Sequence, residues 1–152
     1  MKKPALLILV NFISCMFLYC QQALTVNDKQ QKAFTTLIDQ YSQAREKRDT
    51  ILLKEILTSD VSQLVSTGEW RVGINAAIEG MIKSSANSPG TRTLTIEKIQ
   101  MLTLSSAIVD CRYEIQNANG TARKMWSTFI VVAVKEKWKI RAIRNMLPAA
   151  NN

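Results

Sequence analysis

The chain has 152 residues, a formal net charge of +8 and a hydrophobic fraction of 47%, values typical of one basic globular domain. It contains no histidine, the side chain most used for proton transfer and metal binding near neutral pH. Ser–His and Cys–His nucleophiles and histidine-ligated zinc or haem are therefore excluded. Both glycine-rich phosphate-binding motifs are absent from the sequence as well. We expect no cofactor and no metal.

Residues 1–20 have the pattern of a secretory signal peptide. Two lysines give a positive start, an apolar run follows, and two glutamines end it. We predict cleavage at about residues 20–23 and export to the periplasm or the medium, which leaves residues 24–149 as one domain. Two alternatives stay open: a lipoprotein signal ending at Cys15 or Cys20, and an uncleaved membrane anchor. Contact with a membrane is expected only under these alternatives.

Three helices are predicted after this segment. The first covers Asp28 to Arg48, where apolar residues recur every three or four positions. Asp49 can cap a short second helix, which the sequence Thr58-Ser59-Asp60 is expected to end. The third is expected from about Asn75 to Ser84, before a Pro-Gly break. The apolar positions of the three helices are Phe34, Leu37, Ile38, Tyr41 and Ala44; Ile51, Leu52, Leu53, Ile56 and Leu57; and Ala76, Ile78 and Met81.

The rest of the chain predicts strands. The expected strands are Val61 to Ser66, Thr91 to Leu102, Ala107 to Gln116, Met125 to Val134 and Trp138 to Met146. Asn119-Gly120 predicts a two-residue type I′ hairpin turn, and Glu136 lies in a second tight turn. Cys111 falls on the apolar phase of its strand, so we interpret it as a small buried hydrophobe. Helices followed by long antiparallel strands indicate an α+β fold with one face of the sheet under the helices.

Residues 44–60, 68–78 and 137–148 resemble three segments of SnoaL-like domains, which belong to the nuclear transport factor 2-like, ketosteroid isomerase-like superfamily. Residues 44–60, AREKRDTILLKEILTSD, resemble a helix–strand stretch of that family, in which Arg45 takes the place of the usual tryptophan. Residues 68–78 resemble its turn into the third helix. Residues 137–148, KWKIRAIRNMLP, resemble the last strand of the SgcJ/EcaC-type branch. The resemblance spans about residues 30–149.

The resemblance implies a strongly curved antiparallel sheet wrapped around three N-terminal helices, so that a cone opens into a mostly apolar pocket. Members commonly pair into homodimers through the sheet. Some are isomerases, cyclases or dehydratases, and others bind ligands. The acid–base residues of the enzymatic members have no clear counterparts here, and a shared fold does not carry function.

Four residues are candidates for the wall of the pocket: Trp70, Tyr113, Trp126 and Arg144. Aromatic walls with a few polar groups are typical of small-molecule sites. Tyr113 can donate a hydrogen bond to a ligand oxygen, and Arg144 can neutralise an acidic ligand. The alternative is that the aromatic residues belong to the core and that Arg144 extends into solvent.

No catalytic residue is assigned, and Asp60 is only a weak candidate. A desolvated Asp60 would serve as a general base, whereas a plain helix-end Asp would bind local backbone amides. The preferred hypothesis is therefore an exported domain that binds a small apolar or weakly acidic molecule. The alternatives are an isomerase-, cyclase- or dehydratase-type enzyme that uses Asp60 and Tyr113, and an interaction module whose cone is filled.

The partners expected from the sequence are a small-molecule ligand and a second copy of the chain. The strand from Met125 to Val134 is apolar on both phases, while helices can cover only one face, so the other face is expected to meet another copy. Basic residues cluster from Arg123 to Arg144. They lack interleaved aromatics on the same face, so no nucleic acid is expected and a solvated face is favoured.

Overall fold

The computed structural model describes residues 24–117 and 119–149. The predicted signal peptide lies outside these residues. Within them, no helix combines the length and the apolar character that crossing a membrane requires. The elements in chain order are α1 (Asp28–Lys47), α2 (Thr50–Ile56), β1 (Leu57–Leu64), β2 (Trp70–Val72), α3 (Ile74–Asn87), β3 (Gly90–Thr103), β4 (Ser106–Asn117), β5 (Ala122–Val134) and β6 (Lys137–Met146).

Helix α1 follows its apolar stripe. Asn27 caps its start in a capping box with Gln30, which satisfies two otherwise unpaired backbone amides. Arg48 ends it in the left-handed conformation, and its amide donates to the Ala44 carbonyl. Its buried residues are Phe34, Leu37, Ile38, Tyr41, Ala44 and Arg45, so the predicted face is confirmed and one charged residue is added to it.

Helix α2 runs into β1 without a loop. The Asp49 side chain accepts from the amides of Ile51 and Leu52, as expected for a cap. At the other end, Leu57 already has extended backbone angles, so Thr58, Ser59 and Asp60 lie in β1. The prediction that these three residues end the helix is wrong. In α3 the first buried alanine is Ala77, not the predicted Ala76.

The sheet has six strands in the order β2-β1-β6-β5-β4-β3. Its four long strands pair antiparallel, as predicted, but β1 pairs parallel with β6 and makes the sheet mixed. The predicted antiparallel pairing of the long strands is therefore confirmed, and the parallel pairing of β1 is added to it. The short β2, which was not predicted, pairs antiparallel with β1 at the edge. The α+β fold with three helices against one face of the sheet is confirmed.

The inner face of the sheet, toward the helices, carries the core. On β4 the expected alternation is confirmed, because the side chains from Ala107 to Ile115 on the odd-numbered positions are buried. On β5 the inner residues include Phe129 and Val131, both 0% exposed. The outer face carries Ile108, Ile130 and other half-buried side chains.

A bulge in β6 changes which residues of that strand face inward. Val131 pairs with Ile140 while Ile130 pairs with Ala142, so Arg141 is the extra residue between them. As a result Ile143, not Ala142, continues the inner phase of Ile140. Arg144 therefore lies on the outer face, although simple alternation places it with the core residues.

Of the two turns predicted for the hairpins of the last strands, one differs in the structure and the other is found as predicted. The Gly120 amide donates to the Asn117 carbonyl across a longer loop, and Gly120 has a φ of 82°. Asn119 instead accepts from the amide of Thr121, so the predicted two-residue type I′ turn at Asn119-Gly120 is wrong. The tight turn at Glu136 is confirmed.

Lys135 and Glu136 have φ angles of 48° and 66°, which is the type I′ pattern without a glycine. The left-handed conformation costs a residue with a side chain about 1–2 kcal/mol. We expect Lys135→Asn with Glu136→Gly to raise the free energy of unfolding by about 1 kcal/mol, measured by urea denaturation. Leu104→Asn with Ser105→Gly is the control. Neither Leu104 nor Ser105 has a positive φ angle, so this change should not raise the free energy of unfolding. An equal gain in both turns would contradict the prediction.

Candidate functional site

Trp70 and Arg144 lie together on the outer face. The Trp70 indole is 56% exposed, and the Arg144 guanidinium carbon lies 4.6 Å from its ring centroid. Arg144 Nη1 donates to the Ser62 carbonyl at 2.9 Å, and Nη2 donates to Ser62 Oγ at 3.1 Å. Burial, together with the nearby Arg141, lowers the pKa of Arg144, but a guanidinium stays charged at neutral pH. The arrangement fixes a cation beside an exposed ring.

Trp126 shares the outer face, but Tyr113 does not. Trp126 is 43% exposed and pairs with Met146, two residues beyond Arg144 on β6. Tyr113 is 4% exposed and packs on the inner side with Ile115 and Met125. Both Tyr113 and Trp126 line a depression of about 430 Å³ along β4 and β5. The structure thus brings three of the four predicted residues to one face and leaves Tyr113 on the other.

A polar cluster that the sequence analysis missed lies between the helices and the sheet. It consists of Tyr41, Arg45 and Ser85, which we call the inner polar cluster. Arg45 is 4% exposed. Its Nη1 donates to the Tyr41 hydroxyl at 2.9 Å, and its Nε donates to Ser85 Oγ at 3.3 Å. No carboxylate of the described residues forms an ion pair with Arg45.

An uncompensated buried cation is unusual, because taking a charge out of water is costly unless an opposite charge accompanies it. The Tyr41 hydroxyl supplies a neutral partner only. Burial raises the pKa of the Tyr41 phenol, the neighbouring Arg45 opposes that effect, and Tyr113 adds to it.

A row of polar residues on the inner face of the sheet faces the same interior. Cys111, Ser127 and Asn145 are in register across β4, β5 and β6. Ser127 Oγ donates to Asn145 Oδ1 at 2.7 Å, and both residues are buried. The next inner residue of β5 is Phe129. Its ring packs edge-on against the Tyr41 ring, with the two ring centroids 5.2 Å apart. The row and the inner polar cluster thus share Phe129 as a neighbour.

A surface depression of about 410 Å³ lies beside the inner polar cluster and shares Ser85 with it. Ser85 and Arg92 are among its lining residues, and both are buried. Arg92 donates from Nη2 to the Ser88 carbonyl at 2.8 Å and from Nη1 to the Gly90 carbonyl at 2.9 Å. Its Nε is buried without a partner among the described residues. The lining of the depression therefore includes a second buried arginine and Ser85, whose hydroxyl accepts from Arg45.

One signal in the sequence points to Arg45. It follows Tyr41 by four residues, and positions four apart share one face of a helix. A charged residue on the apolar face of a helix is a candidate for a functional role or for a buried hydrogen bond. By the residue pattern alone, Arg45 stands out only as a departure from the SnoaL-like pattern.

Asp60 lies in an exposed ion pair. Its carboxylate is 63% exposed, and its Oδ2 lies 3.0 Å from Arg141 Nη2. Arg141 Nη1 also donates to the Asp60 carbonyl at 2.6 Å. A carboxylate that acts as a general base is usually desolvated. Asp60 is exposed to solvent and paired with Arg141, so it is not in such an environment. The structure does not bring Asp60 and Tyr113 together: Asp60 contacts Arg141, whereas Tyr113 packs with Leu94 and the neighbouring strand.

Cys111 and the acidic residues are the remaining candidates for nucleophilic or metal chemistry in the described part of the chain. No group of three or more Cys, Asp or Glu side chains there could hold a metal ion. Cys111 is 0% exposed, which confirms its interpretation as a buried hydrophobe. Burial, with smaller contributions from Asp110 and Glu97, raises the pKa of its thiol to about 12. The thiol is therefore neutral and unreactive in the folded protein.

The raised pKa of Cys111 predicts a loss of stability at high pH. A thiol in the unfolded chain ionises near its ordinary pKa of 9.0, whereas the folded thiol keeps its proton up to about pH 12. Between these values the folded state binds more protons, so the free energy of unfolding falls as pH rises, by up to about 1.4 kcal/mol per pH unit. We expect Cys111→Ala to flatten this slope in urea denaturation between pH 9 and about pH 12. An unchanged slope would contradict the raised pKa.

Comparisons with known proteins give the fold. No protein-family model and no curated protein matches the chain. An NTF2-like protein of unknown function from Shewanella oneidensis superposes with a TM-score of 0.66 at 18% identity, covering 76% of this chain and 98% of that one. A protein of unknown function with a cystatin-like fold from Nostoc punctiforme gives a TM-score of 0.73 at 12% identity, with 84% and 97% covered.

An NTF2-like superfamily protein from Salmonella enterica gives a TM-score of 0.65 at 16% identity and covers 80% of this chain and 92% of that one. Identities this low establish the common architecture and leave the site to be argued from its own residues. The chain therefore has the NTF2-like fold, and the resemblance to SnoaL-like domains is confirmed at the level of the fold.

Proposed function

We propose that this chain is an exported protein that binds a small apolar or weakly acidic molecule between its helices and its sheet. The observation that carries the proposal is the guanidinium of Arg45, which is 4% exposed and forms no ion pair with the described residues. A ligand carboxylate beside Arg45 would supply the missing charge. Charge-assisted hydrogen bonds of this kind are about twice as strong as neutral ones.

The surroundings of Arg45 match the rest of such a ligand. The Phe129 ring packs edge-on against the Tyr41 ring, and Tyr113, Ser127 and Asn145 lie on the same face of the sheet as Phe129. Ser127 and Asn145 carry buried polar atoms. Small-molecule sites combine apolar walls with few, well-placed polar groups. Ser85, which accepts from Arg45, also lines the surface depression of about 410 Å³, and we propose that the ligand enters there.

Binding is favoured over acid–base catalysis by the side chains of the inner polar cluster. It contains two hydroxyls and a guanidinium, and no described carboxylate contacts it. Proton abstraction needs a group that can accept a proton near neutral pH. Tyr41, with its raised pKa, holds its proton there.

A thermal-shift screen tests the proposal. Each carboxylate probe, such as benzoate, phenylacetate or octanoate, is paired with its neutral amide. Ligands that bind only the folded state raise the melting temperature, and the rise grows with the ratio of ligand concentration to Kd. We expect the carboxylates to raise it and the amides to raise it less. Equal shifts for the carboxylate and the amide of every pair would contradict the preference for an acidic ligand. No shift with any probe would contradict the binding of small apolar or weakly acidic molecules.

Export is tested by the mass of the protein recovered from the cell envelope or the medium. We expect an intact mass that begins between residues 21 and 24, because the positive start and the apolar run of residues 1–20 are typical of a cleaved signal. A lipid-modified mass beginning at Cys15 or Cys20 would favour the lipoprotein alternative. A mass that retains residue 1 would favour the anchor.

The outer face of the sheet supports a homodimer as the assembly. Trp70, Trp126 and Met146 are exposed by 56%, 43% and 49%, and Ile108 and Ile130 lie half-buried on the same face, beyond the row of Arg144, Thr128 and Asp110. Exposed apolar side chains gathered on one face mark interaction sites in soluble proteins. We propose that a second copy covers it around a two-fold axis.

A further inference from the structure

The β3–β4 turn presents leucine side chains to solvent. Leu104 is 81% exposed at the tip and Leu102 is 45% exposed beside it. The turn is held by hydroxyls, since Thr103 Oγ1 lies 2.8 Å from Ser106 Oγ and accepts from the Ser105 amide at 3.1 Å. Folding gains nothing from an exposed leucine at a rigid polar turn.

The β5–β6 turn lies next to this tip. The Ala133 amide donates to the Ser105 carbonyl at 2.8 Å, which ties the two turns together. Val134, just before the second turn, is 38% exposed. Lys135 and Lys137 follow it and are exposed, and neither forms an ion pair among the described residues. Three apolar side chains and two lysines therefore share one end of the molecule.

A groove next to these turns is also lined by lysines and apolar side chains. It has a volume of about 670 Å³ and lies between α1, α2 and the start of β6. Lys29 and Lys32 stand on its α1 rim, and Lys137 and Lys139 on its β6 rim. Its acidic side chains are Glu55 and Glu136. Positive charge therefore exceeds negative charge around the groove.

The groove also contains an indole. Trp138 is half-buried, and its ring meets Phe34 edge-on at 4.8 Å. Tryptophan in this position, with its body packed and its edge accessible, is typical of contacts at the level of lipid headgroups. Helix α1 also begins at this end, since its first residue, Asp28, precedes Lys29 on the rim of the groove. The apolar run of residues 1–20 therefore precedes this end in the sequence.

We infer that this end of the domain docks on an anionic lipid bilayer. We call it the lipid-docking end and define it by Leu102, Leu104, Val134, Lys135 and Lys137. The leucines and the valine enter the boundary of the acyl chains, and the lysines contact acidic headgroups. The folded domain thus has a membrane contact of its own, beyond the lipidated or uncleaved chain that the sequence analysis required.

Vesicle co-sedimentation of the protein as recovered from cells, with its N-terminus defined by mass, tests the inference. Vesicles of phosphatidylcholine alone are compared with vesicles that also contain phosphatidylglycerol, at low and at high salt. We expect binding to the anionic vesicles only, and release at high salt, because headgroup attraction is screened within a Debye length. Leu102→Ser with Leu104→Ser should weaken binding about tenfold, and so should Lys135→Gln with Lys137→Gln.

Matched controls lie elsewhere on the surface. Ile51→Ser removes an apolar side chain that is 72% exposed at the start of α2, and Lys47→Gln with Lys83→Gln removes two exposed lysines. These controls should bind as the wild type does, and circular dichroism confirms folding of every variant.

Three results would overturn the inference: no binding to anionic vesicles, equal binding to neutral vesicles, and unchanged binding by the leucine variant. A heparin column separates a general polyanion surface from a bilayer contact. Loss of heparin binding in the lysine variant, with no vesicle binding by the wild type, would assign the lysines to a soluble polyanion and reject the bilayer.

Discussion

Ile130→Glu is expected to turn a dimer of this protein into monomers, with association weakened by at least about 100-fold. Ile130 lies on the outer face of β5, in register with Ile108 on one side and Ala142 on the other. The paired strands place it near the middle of the proposed interface, where water is excluded. A carboxylate buried there without a partner costs several kcal/mol.

The charges of the outer face add a geometric test of the same dimer. Arg144 and Asp110 both pair with Thr128, on opposite sides of β5. A two-fold axis along β5 therefore places Arg144 of one subunit opposite the partner's Asp110. Asp110→Arg should weaken the dimer by like-charge repulsion, and Arg144→Asp in the same chain should restore part of the affinity.

Sedimentation velocity at micromolar concentration measures both effects. Ile51→Glu is the matched control, because Ile51 is 72% exposed on α2, which packs against the inner face. It should leave the association unchanged. A wild-type protein that stays monomeric at these concentrations would contradict the dimer. Failure of the charge exchange alone would leave the dimer and reject this orientation.

How far the fold could be predicted depended on whether local pattern or tertiary pairing decides each element. Helix α1 and strand β4 were predicted because periodicity and burial agree along their whole length. The parallel pairing of β1 with β6 could not be predicted, since it joins residues about 80 positions apart and leaves no local signature. Strand β2 is three residues long, too short for an alternation to show.

The candidate site was harder to predict, because bulges and buried charges break the patterns that prediction uses. One extra residue at Arg141 moved Arg144 to the outer face. Tyr113 followed strict alternation and lies inside as its phase requires. Arg45 was missed because arginine is among the residues least often buried. Such local departures from the rules are expected at functional sites.

The role of Arg45 gives the second large prediction. Arg45→Met keeps most of the volume of the side chain and removes its charge. In the absence of ligand, the loss of two hydrogen bonds, to Tyr41 and Ser85, opposes the relief of a desolvated cation. We expect these effects to offset each other, so that the free energy of unfolding changes by less than about 1.5 kcal/mol.

Binding should respond in a different way. A carboxylate ligand loses its charged partner, and truncating one side of a buried charge pair costs about 2–5 kcal/mol, which is at least about 30-fold in Kd. The amide partner of the same ligand has no charge to lose and should be affected much less. Calorimetric titration of both ligands into both proteins therefore gives a coupling between the ligand charge and Arg45.

Lys47→Met is the matched control, since Lys47 lies on the same helix, is exposed, and carries the same charge. It should leave both affinities unchanged. Arg45→Lys tests the geometry, because a single ammonium keeps the charge but cannot reach both hydroxyls as the planar guanidinium does. We expect it to bind the carboxylate with intermediate affinity. Unchanged carboxylate affinity in Arg45→Met, with the fold intact, would make Arg45 a structural residue and remove the observation on which the acidic ligand rests.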